Sequence, residues 1–256
     1  MIELTPDQVN PALRALFPRS GHTWRRPFSV LDGSGGGLIL TDDPVNPTWA
    51  ATADVSDDGT VFMVGALNRE IVAELFERRR KEAPVTICLA ADNPLLSLLP
   101  PDPDYDGWDI DFEQRDHAVD LDQFITEPAG LCLAQIDAEL LPRCQWGPWM
   151  VGSLATALEH GLGYCVLDGD QVISEAFAGP IVDNALEMAV ITVDVHQRRG
   201  LATIVAARTI RECERRGHDT WWNTATTNLG SARLARKLGY RVERRYRVLS
   251  WSRNEG

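Results

Sequence analysis

The sequence predicts an α+β fold, a mixed central sheet with flanking helices in the C-terminal half, preceded by a smaller α/β domain. Three features carry that expectation. An alternating apolar stretch at 187–195 runs through Gln-Arg-Arg-Gly into a segment, 201–216, whose apolar residues recur at helical spacing. A second strand-like stretch follows at 220–225, and strand, helix and strand in that order make a crossover unit with parallel strands. Upstream, prolines and aspartates crowd "LLPPDPDYDGWDIDFEQRDHAVDLDQF", a composition that favours a surface connection. A boundary is therefore expected near residue 126, giving domains 1–126 and 127–256.

In the first domain the patterns predict strands at 37–41, 60–64 and 85–90 and a helix at 68–81. "DGSGGG" at 32–37 reads as a hairpin turn, because Leu38 stands where Gly-x-Gly-x-x-Gly would close and no Lys-Ser/Thr follows. "ERRRKE" at 77–82 reads as a solvated helix end, where cations complement the helix dipole. In the second domain the expected order is strand 131–136, helix 149–160, strands 164–167, 172–177 and 187–195, and helix 201–216. Strand 220–225, helix 230–238 and strand 241–249 complete it. Within the long helix, Ala202, Val205, Ala206, Thr209, Ile210 and Cys213 share one face, and Gly217 supplies the stop.

Composition narrows the function. The net charge of −12 argues against a nucleic-acid partner, since phosphate-backbone binding relies on clustered Lys and Arg. The N-terminus has no basic start leading into an apolar core, and no apolar run approaches about 18 residues. Neither an export signal nor a membrane span is expected, and a cytoplasmic location follows. The five cysteines are scattered without a Cys-x-x-Cys pair, and no histidine falls at ligand spacing with them, so a reduced, metal-free protein is expected.

The Gln-Arg-Arg-Gly turn has no acidic or hydroxyl residue to cap the helix it opens. Free N–H groups at a helix start, with the positive end of the dipole, suit a diphosphate. Gly200 lets backbone approach closely, and the amides from Arg198 to Thr203 can form an anion-binding nest. The alternative is a solvated helix start with Arg198 and Arg199 exposed.

Gln197-Arg198-Arg199-Gly200-Leu201-Ala202 resembles the Gln/Arg-x-x-Gly-x-Gly/Ala pyrophosphate loop of the GNAT N-acetyltransferases. The order of elements over residues 131–249 is similar as well, including "NLGSARLARKLGYR" before a terminal strand. "TNLGSARLARKLGY", "GLGYCVLDGDQVISEAFAG" and "LEMAVITVDVHQRRGLA" are most similar to the subgroup related to zwittermicin A resistance acetyltransferases. The resemblance implies acetyl-CoA as co-substrate, with Gln197, Arg198, Arg199, Gly200, Leu201, Ala202 and Thr203 holding its pyrophosphate. It implies a pantetheine arm in a wedge between strands 187–195 and 220–225, beside Asn228 and Ser231. A backbone N–H near Val193 to Val195 would donate to the thioester oxygen. Asn228 also reads as an N-cap.

Glu187 opens the apolar strand "EMAVITV" and is the implied proton acceptor, directly or through a water; its other reading is a strand-end carboxylate in solvent. Asp194 and His196 flank the same strand end, where His196 reads as a surface residue. In the family pattern Asn-x-x-Ala-x-x-Leu-Tyr-x-Lys-x-Gly-Phe, Ala235 takes the place of the tyrosine that protonates the thiolate. Tyr164, Tyr240 or a water would replace it, or the thiolate would leave unaided, since a thiol pKa is only about 8.5. Tyr240 stands at the Phe position of the pattern and also reads as a core aromatic.

These readings converge on an N-acetyltransferase that moves an acetyl group from acetyl-CoA to a primary amine of a small molecule by direct attack in a ternary complex. Two alternatives stand beside it. One is a non-catalytic acyl-CoA sensor, motivated by Ala235; the other is a protein or peptide N-acetyltransferase that docks its partner through the N-terminal domain. That domain is otherwise expected to shape the acceptor site, and the acidic segment at 102–122 to draw a cationic acceptor.

Overall fold

The computed structural model describes all residues except 21–22, 56–58, 147–149, 151–152 and 255–256. The chain forms two compact units, Met1–Ile110 with Arg244–Gly256, and Asp111–Glu243. The division thus falls at 110 and again at 243, not at 126, because two strands, β6 (Tyr105–Arg115) and β12 (Tyr240–Trp251), each run from one unit into the other.

The Pro- and Asp-rich segment was expected to be a connection, yet its centre is strand β6. Trp108, Ile110 and Phe112 alternate with Asp109 and Asp111 there, and Ile110 and Phe112 are buried; this two-residue period is a strand signal that the Pro- and Asp-rich composition around it outweighed in the sequence.

In the first unit, β1 (Ile2–Leu4), β2 (Gly37–Thr41), β3 (Trp49–Asp54) and β4 (Val61–Gly65) form an antiparallel sheet in that order. Helices α1 (Pro11–Leu16) and α2 (Arg25–Asp32) precede β2. Helix α3 (Arg69–Arg80) starts where Asn68 accepts a hydrogen bond from the Ile71 amide at 2.9 Å, and its last turn carries Arg78 to Arg80. Strand β5 (Val85–Leu89) pairs antiparallel with the end of β12. Trp49, Val72, Phe76, Ile87 and Trp251 are part of one buried core, with the Phe76 and Trp251 rings edge to face at 4.9 Å. "DGSGGG" joins α2 to β2 and is no hairpin turn; Gly33 closes α2 in the left-handed region at φ 77°.

The second unit holds β7 (Cys132–Gln135), α4 (Leu154–His160), β8 (Leu162–Asp168), β9 (Gln171–Val182), β10 (Ala185–Thr192), α5 (Leu201–Arg215), β11 (Asp219–Ala225) and α6 (Leu229–Lys237). Strands β7 to β11 lie side by side in sequence order, followed by β6 and then β12. The β7–β8, β8–β9 and β9–β10 pairs are antiparallel and β10–β11 is parallel, the mixed sheet expected from the crossover. The helix expected at 149–160 is described from Leu154, with Ser153 as its N-cap; residues 149, 151 and 152 lie outside the described residues. Strand β10 stops at Thr192, short of the expected 195, and residues 194–196 form a single 3-10 turn.

One sheet face carries α5, whose Thr209 hydroxyl donates to the Ala176 carbonyl at 3.3 Å while the Arg208 guanidinium lies 5.0 Å from the centre of the Tyr164 ring. Cross-strand register puts Cys165, Glu175 and Phe177 on the opposite face, where Cys165 and Phe177 join a core with Ala157 of α4. On that face the Glu175 carboxylate accepts the amides of Gln145 and Trp146 at 2.8 and 2.7 Å, and burial pushes its pKa up.

Arg115 ties the unit together at the far ends of its helices. Its side chain is 3% exposed; Nε donates to Glu214 of α5 at 2.9 Å, Nη2 contacts the same carboxylate, and Nη1 donates to the carbonyls of Val119 and Leu238, each at 3.2 Å. It therefore satisfies the carbonyl of Leu238, the C-cap of α6, and a carboxylate on α5 from a strand of the sheet. Arg115→Ala is expected to cost about 3 kcal/mol, because Glu214 and the Leu238 carbonyl lose their buried partner. Urea denaturation of the variant should show that loss as a lowered midpoint with an unchanged slope.

Candidate active site at the diverging strands

The β10–β11 ladder holds four pairs, Ala185 with Asp219 through Met188 with Trp222. Both strands then continue, to Thr192 and Ala225, without pairing to each other. A register shift between Leu186 and Met188 on the β9 side accompanies the divergence, and bulges bend and twist the strand that carries them. The divergence opens a groove of about 510 Å³ between the end of β10, the 196–203 loop and one side of α6.

The loop has unusual backbone geometry. Arg198 and Gly200 both adopt positive φ, 61° and 82°, and Gly200 is the N-cap of α5 with no capping side chain and no acid in the first turn. Among the described residues, the amides of Arg198, Arg199, Gly200, Leu201 and Ala202 meet no protein acceptor. Thr203 differs from expectation: its amide donates to the Gly200 carbonyl at 3.0 Å, so the nest ends one residue earlier. No heavy atom lies within 4 Å of where a Cβ on Gly200 would sit, so glycine there answers to φ and leaves the approach to the amides open.

Gln197 lines the groove, but its side-chain amide turns back to the Asp194 carboxylate at 2.7 Å and the Thr192 carbonyl at 3.3 Å, bracing the loop. Arg199 contacts His196 Nδ1 at 2.8 Å. An arginine only donates, so Nδ1 is the acceptor in this contact, and His196 also lines the groove.

Of the two expected backbone donors, one is already engaged. The Val193 amide already donates to the Ile173 carbonyl at 2.9 Å, and Val195, in the 3-10 turn, is 83% exposed. Beyond Met188 the edge of β10 that faces β11 makes no ladder pair with it.

On α6, Asn228 caps the helix by accepting the Ser231 amide at 3.1 Å, and both residues line the groove. The Ser231 hydroxyl accepts from Trp222 Nε1 at 3.0 Å, which places Trp222 on the α6 side of the sheet and leaves the Ser231 O–H able to donate. Glu187, opposite Trp221 in the ladder, therefore stands on the other face, next to the last pair before the strands part. It is 7% exposed, and Asn223 Nδ2 donates to its Oε1. Asn223 was not singled out in the sequence; its spacing of two from Trp221, on the strand partnered by Glu187, is the signal that finds it.

Neither tyrosine reaches the groove. Tyr164 is buried beneath Arg208, and Tyr240 is buried with its hydroxyl at 2.5 Å from Thr220 and its ring against Trp222. Burial holds the Tyr240 phenol well above its usual range, and neither residue lines the groove. Ala235 is itself fully buried, so α6 offers no hydroxyl at that position. Among the described residues no group of three or more His, Cys, Asp or Glu is arranged to hold a metal, and no helix is long and apolar enough to cross a membrane.

Residues 26–249 match the family described as GNAT acetyltransferase. The chain belongs to the GNAT acetyltransferase family. It is 25% identical over 236 residues to the uncharacterized N-acetyltransferase YdfB of Bacillus subtilis (strain 168), covering 86% of this chain and 88% of that protein. The crystal structure of a GCN5-related N-acetyltransferase-like protein from Streptococcus suis 89/1591 aligns with TM-score 0.73 at 23% identity, over 96% of this chain and 99% of that one. A tandem GNAT protein from the clavulanic acid biosynthesis pathway aligns with TM-score 0.58 at 11% identity, over 98% and 94%. GNAT acetyltransferases use acetyl-CoA, and this one is an acyl-CoA-dependent N-acyltransferase.

For this GNAT enzyme, Tyr240→Phe should act on stability alone. Loss of the bond to Thr220 is expected to cost about 1 kcal/mol in thermal unfolding. The acetyl-transfer rate should stay within about twofold of the parent's.

Proposed function

We propose that this GNAT acetyltransferase carries an acetyl group from acetyl-CoA to a primary amine of a small molecule by direct attack in a ternary complex. The observation that carries this reading is the early end of the β10–β11 ladder, which joins free loop amides and groove on one side to a buried carboxylate on the other. The donor set fits the co-substrate: five unclaimed amides at a helix start, two left-handed residues and open space above Gly200 suit a diphosphate. Arg198 to Ala202 would hold that group, and Asn228 and Ser231 would hold the pantetheine arm. When bound, acetyl-CoA supplies a thioester carbonyl open to an amine and a thiol leaving group.

Glu187 takes the proton of the attacking amine, directly or through a water, while Asn223 donates to Oε1 and orients the carboxylate. A peptide N–H on the unpaired edge of β10 beyond Met188 supports the developing oxyanion. The net charge of −12 favours encounter with a cationic acceptor. With Tyr164 and Tyr240 buried and Ala235 in the tyrosine position, the thiolate leaves with help from a water or from none.

Thermal unfolding with acetyl-CoA, coenzyme A and NADH tests the co-substrate. At about a hundred times Kd a ligand stabilises by roughly 2.7 kcal/mol, which is several degrees, so the first two should raise the midpoint and NADH should not. Glu187→Gln keeps the bond from Asn223 but cannot take a proton. It should lower kcat by about 10²-fold or more with acetyl-CoA affinity unchanged. Undiminished turnover would remove Glu187 from the reaction, and acetyl-CoA binding with no product from any amine or peptide would favour the sensor alternative suggested by Ala235.

A further inference from the structure

Glu175 is a buried carboxylate that the acetyl-transfer steps above leave unused. It sits in the middle of β9, on the sheet face opposite α5, and is 3% exposed. Oε1 accepts the amides of Gln145 at 2.8 Å and Trp146 at 2.7 Å, and Oε2 also accepts the Gln145 amide at 3.0 Å. An ionised carboxylate offers two acceptor oxygens and no donor, so one side chain can meet two consecutive amides. Burial pushes its pKa up, and the bonds from Trp146, Gln145 and the Cys144 thiol oppose that rise. A charge buried at such a cost is spent on fixing one short segment of chain.

Strand register shows where that segment lies. Glu175 pairs with Cys165 of β8 on one side and with Ile191 of β10 on the other, and residues paired in this way share a face with Cβ atoms about 5 Å apart. Ile191 lines the groove, past the last ladder pair with β11, and Glu187 stands on the same face as Glu175. The amide nest and α6 border the groove from the other side of the parting, so an amine that meets Glu187 approaches from the face that Glu175 and Ile191 share. On that face Cys144 and Cys165 belong to one buried core, against which the half-buried Trp146 is packed. The Gln145–Trp146 segment thus rests on Glu175 at the margin of the opening, next to Ile191.

We propose that Glu175 is a positioning residue for acetyl transfer: by holding the amides of Gln145 and Trp146 it fixes one wall of the path along which the acceptor amine reaches Glu187. This rests on the amine-acceptor reading above and adds to it a determinant of acceptor affinity that touches neither acetyl-CoA nor the reacting atoms. An apolar side chain at this place in β9 would leave both amides without an acceptor, and the segment would lift from the sheet to find water.

The test is steady-state kinetics of the full chain, with acetyl-CoA and the primary amine that the parent acetylates fastest in a screen spanning tryptamine, putrescine and glucosamine. Glu175→Leu gives the two amides no acceptor. It should raise the KM of the amine about tenfold, with kcat and the KM of acetyl-CoA within about threefold of the parent's. Glu175→Gln keeps an oxygen that both amides can share, and it should restore the amine KM to within about threefold. If Glu175→Leu shows no cooperative melting transition, Trp146→Ala decides. That variant keeps both backbone bonds to Glu175 but shortens the wall, and it should raise the amine KM about fivefold with the acetyl-CoA KM unchanged.

Parent-like constants in Glu175→Leu, or an unchanged amine KM in Trp146→Ala, would overturn the proposal. So would a rise in the acetyl-CoA KM that matches the rise for the amine, or a Glu175→Gln as impaired as Glu175→Leu, since Glu175 would then serve the fold alone; the acyl-transfer reading would stand in each case. A parent that acetylates no primary amine in the screen would overturn the amine-acceptor reading itself and this proposal with it.

Discussion

Four ladder pairs between β10 and β11, and then none, are the constraint on which the site depends. A parallel ladder carried to the ends of both strands would use their facing peptide groups and close the space between them. Instead the register shift beside Leu186 and Met188 bends β10 away, and the sheet opens just where β10 runs into the loop before α5. The open edge, the helix start and the flank of α6 then meet at one groove, while Glu187 and Asn223 remain at the last closed pair on the other side.

Such an opening is costly, and the surrounding structure offsets it. Arg198 in the left-handed region and an uncapped first turn on α5 both run against local preference. They are held by bonds that do not enter the groove chemistry: Gln197 braces the loop against Asp194 and Thr192, and Val193 is tied to Ile173. At the C-terminal ends of α5 and α6 Arg115 links Glu214 to the carbonyl of Leu238, the residue that caps α6.

The buried polar groups divide in the same way. Glu175 and Glu187 share a sheet face, yet Glu175 is capped by two backbone amides beside the Cys144 and Cys165 side of the core, whereas Glu187 has a side-chain amide on one oxygen. The first carboxylate is committed to fixing the chain at Gln145 and Trp146. The second is held by Asn223 beside the last closed pair of the β10–β11 ladder.

The sequence by itself determined the elements whose side chains repeat with a clear period and the turn whose chemistry is in its backbone. The 3.6-residue stripe of α5, the Gly-Leu start of that helix and the Asn228 cap were all readable, because each depends on residues close together in the chain. Strand β6 was missed although Trp108, Ile110 and Phe112 alternate with aspartates, because the prolines and aspartates around that short run read as a connection until its neighbours in the sheet are known. Nor were the fates of Val193, Tyr164 and Tyr240, which turn on partners far away in sequence: Ile173, Arg208 and Thr220. Tertiary structure alone decided which carboxylate stands at the parting of the strands, that Asn223 holds it, and that Glu175 holds the amides of Gln145 and Trp146. The physical reason is range: helix propensity and free amides are local, whereas burial, register and charge pairing are properties of chain segments brought together only on folding.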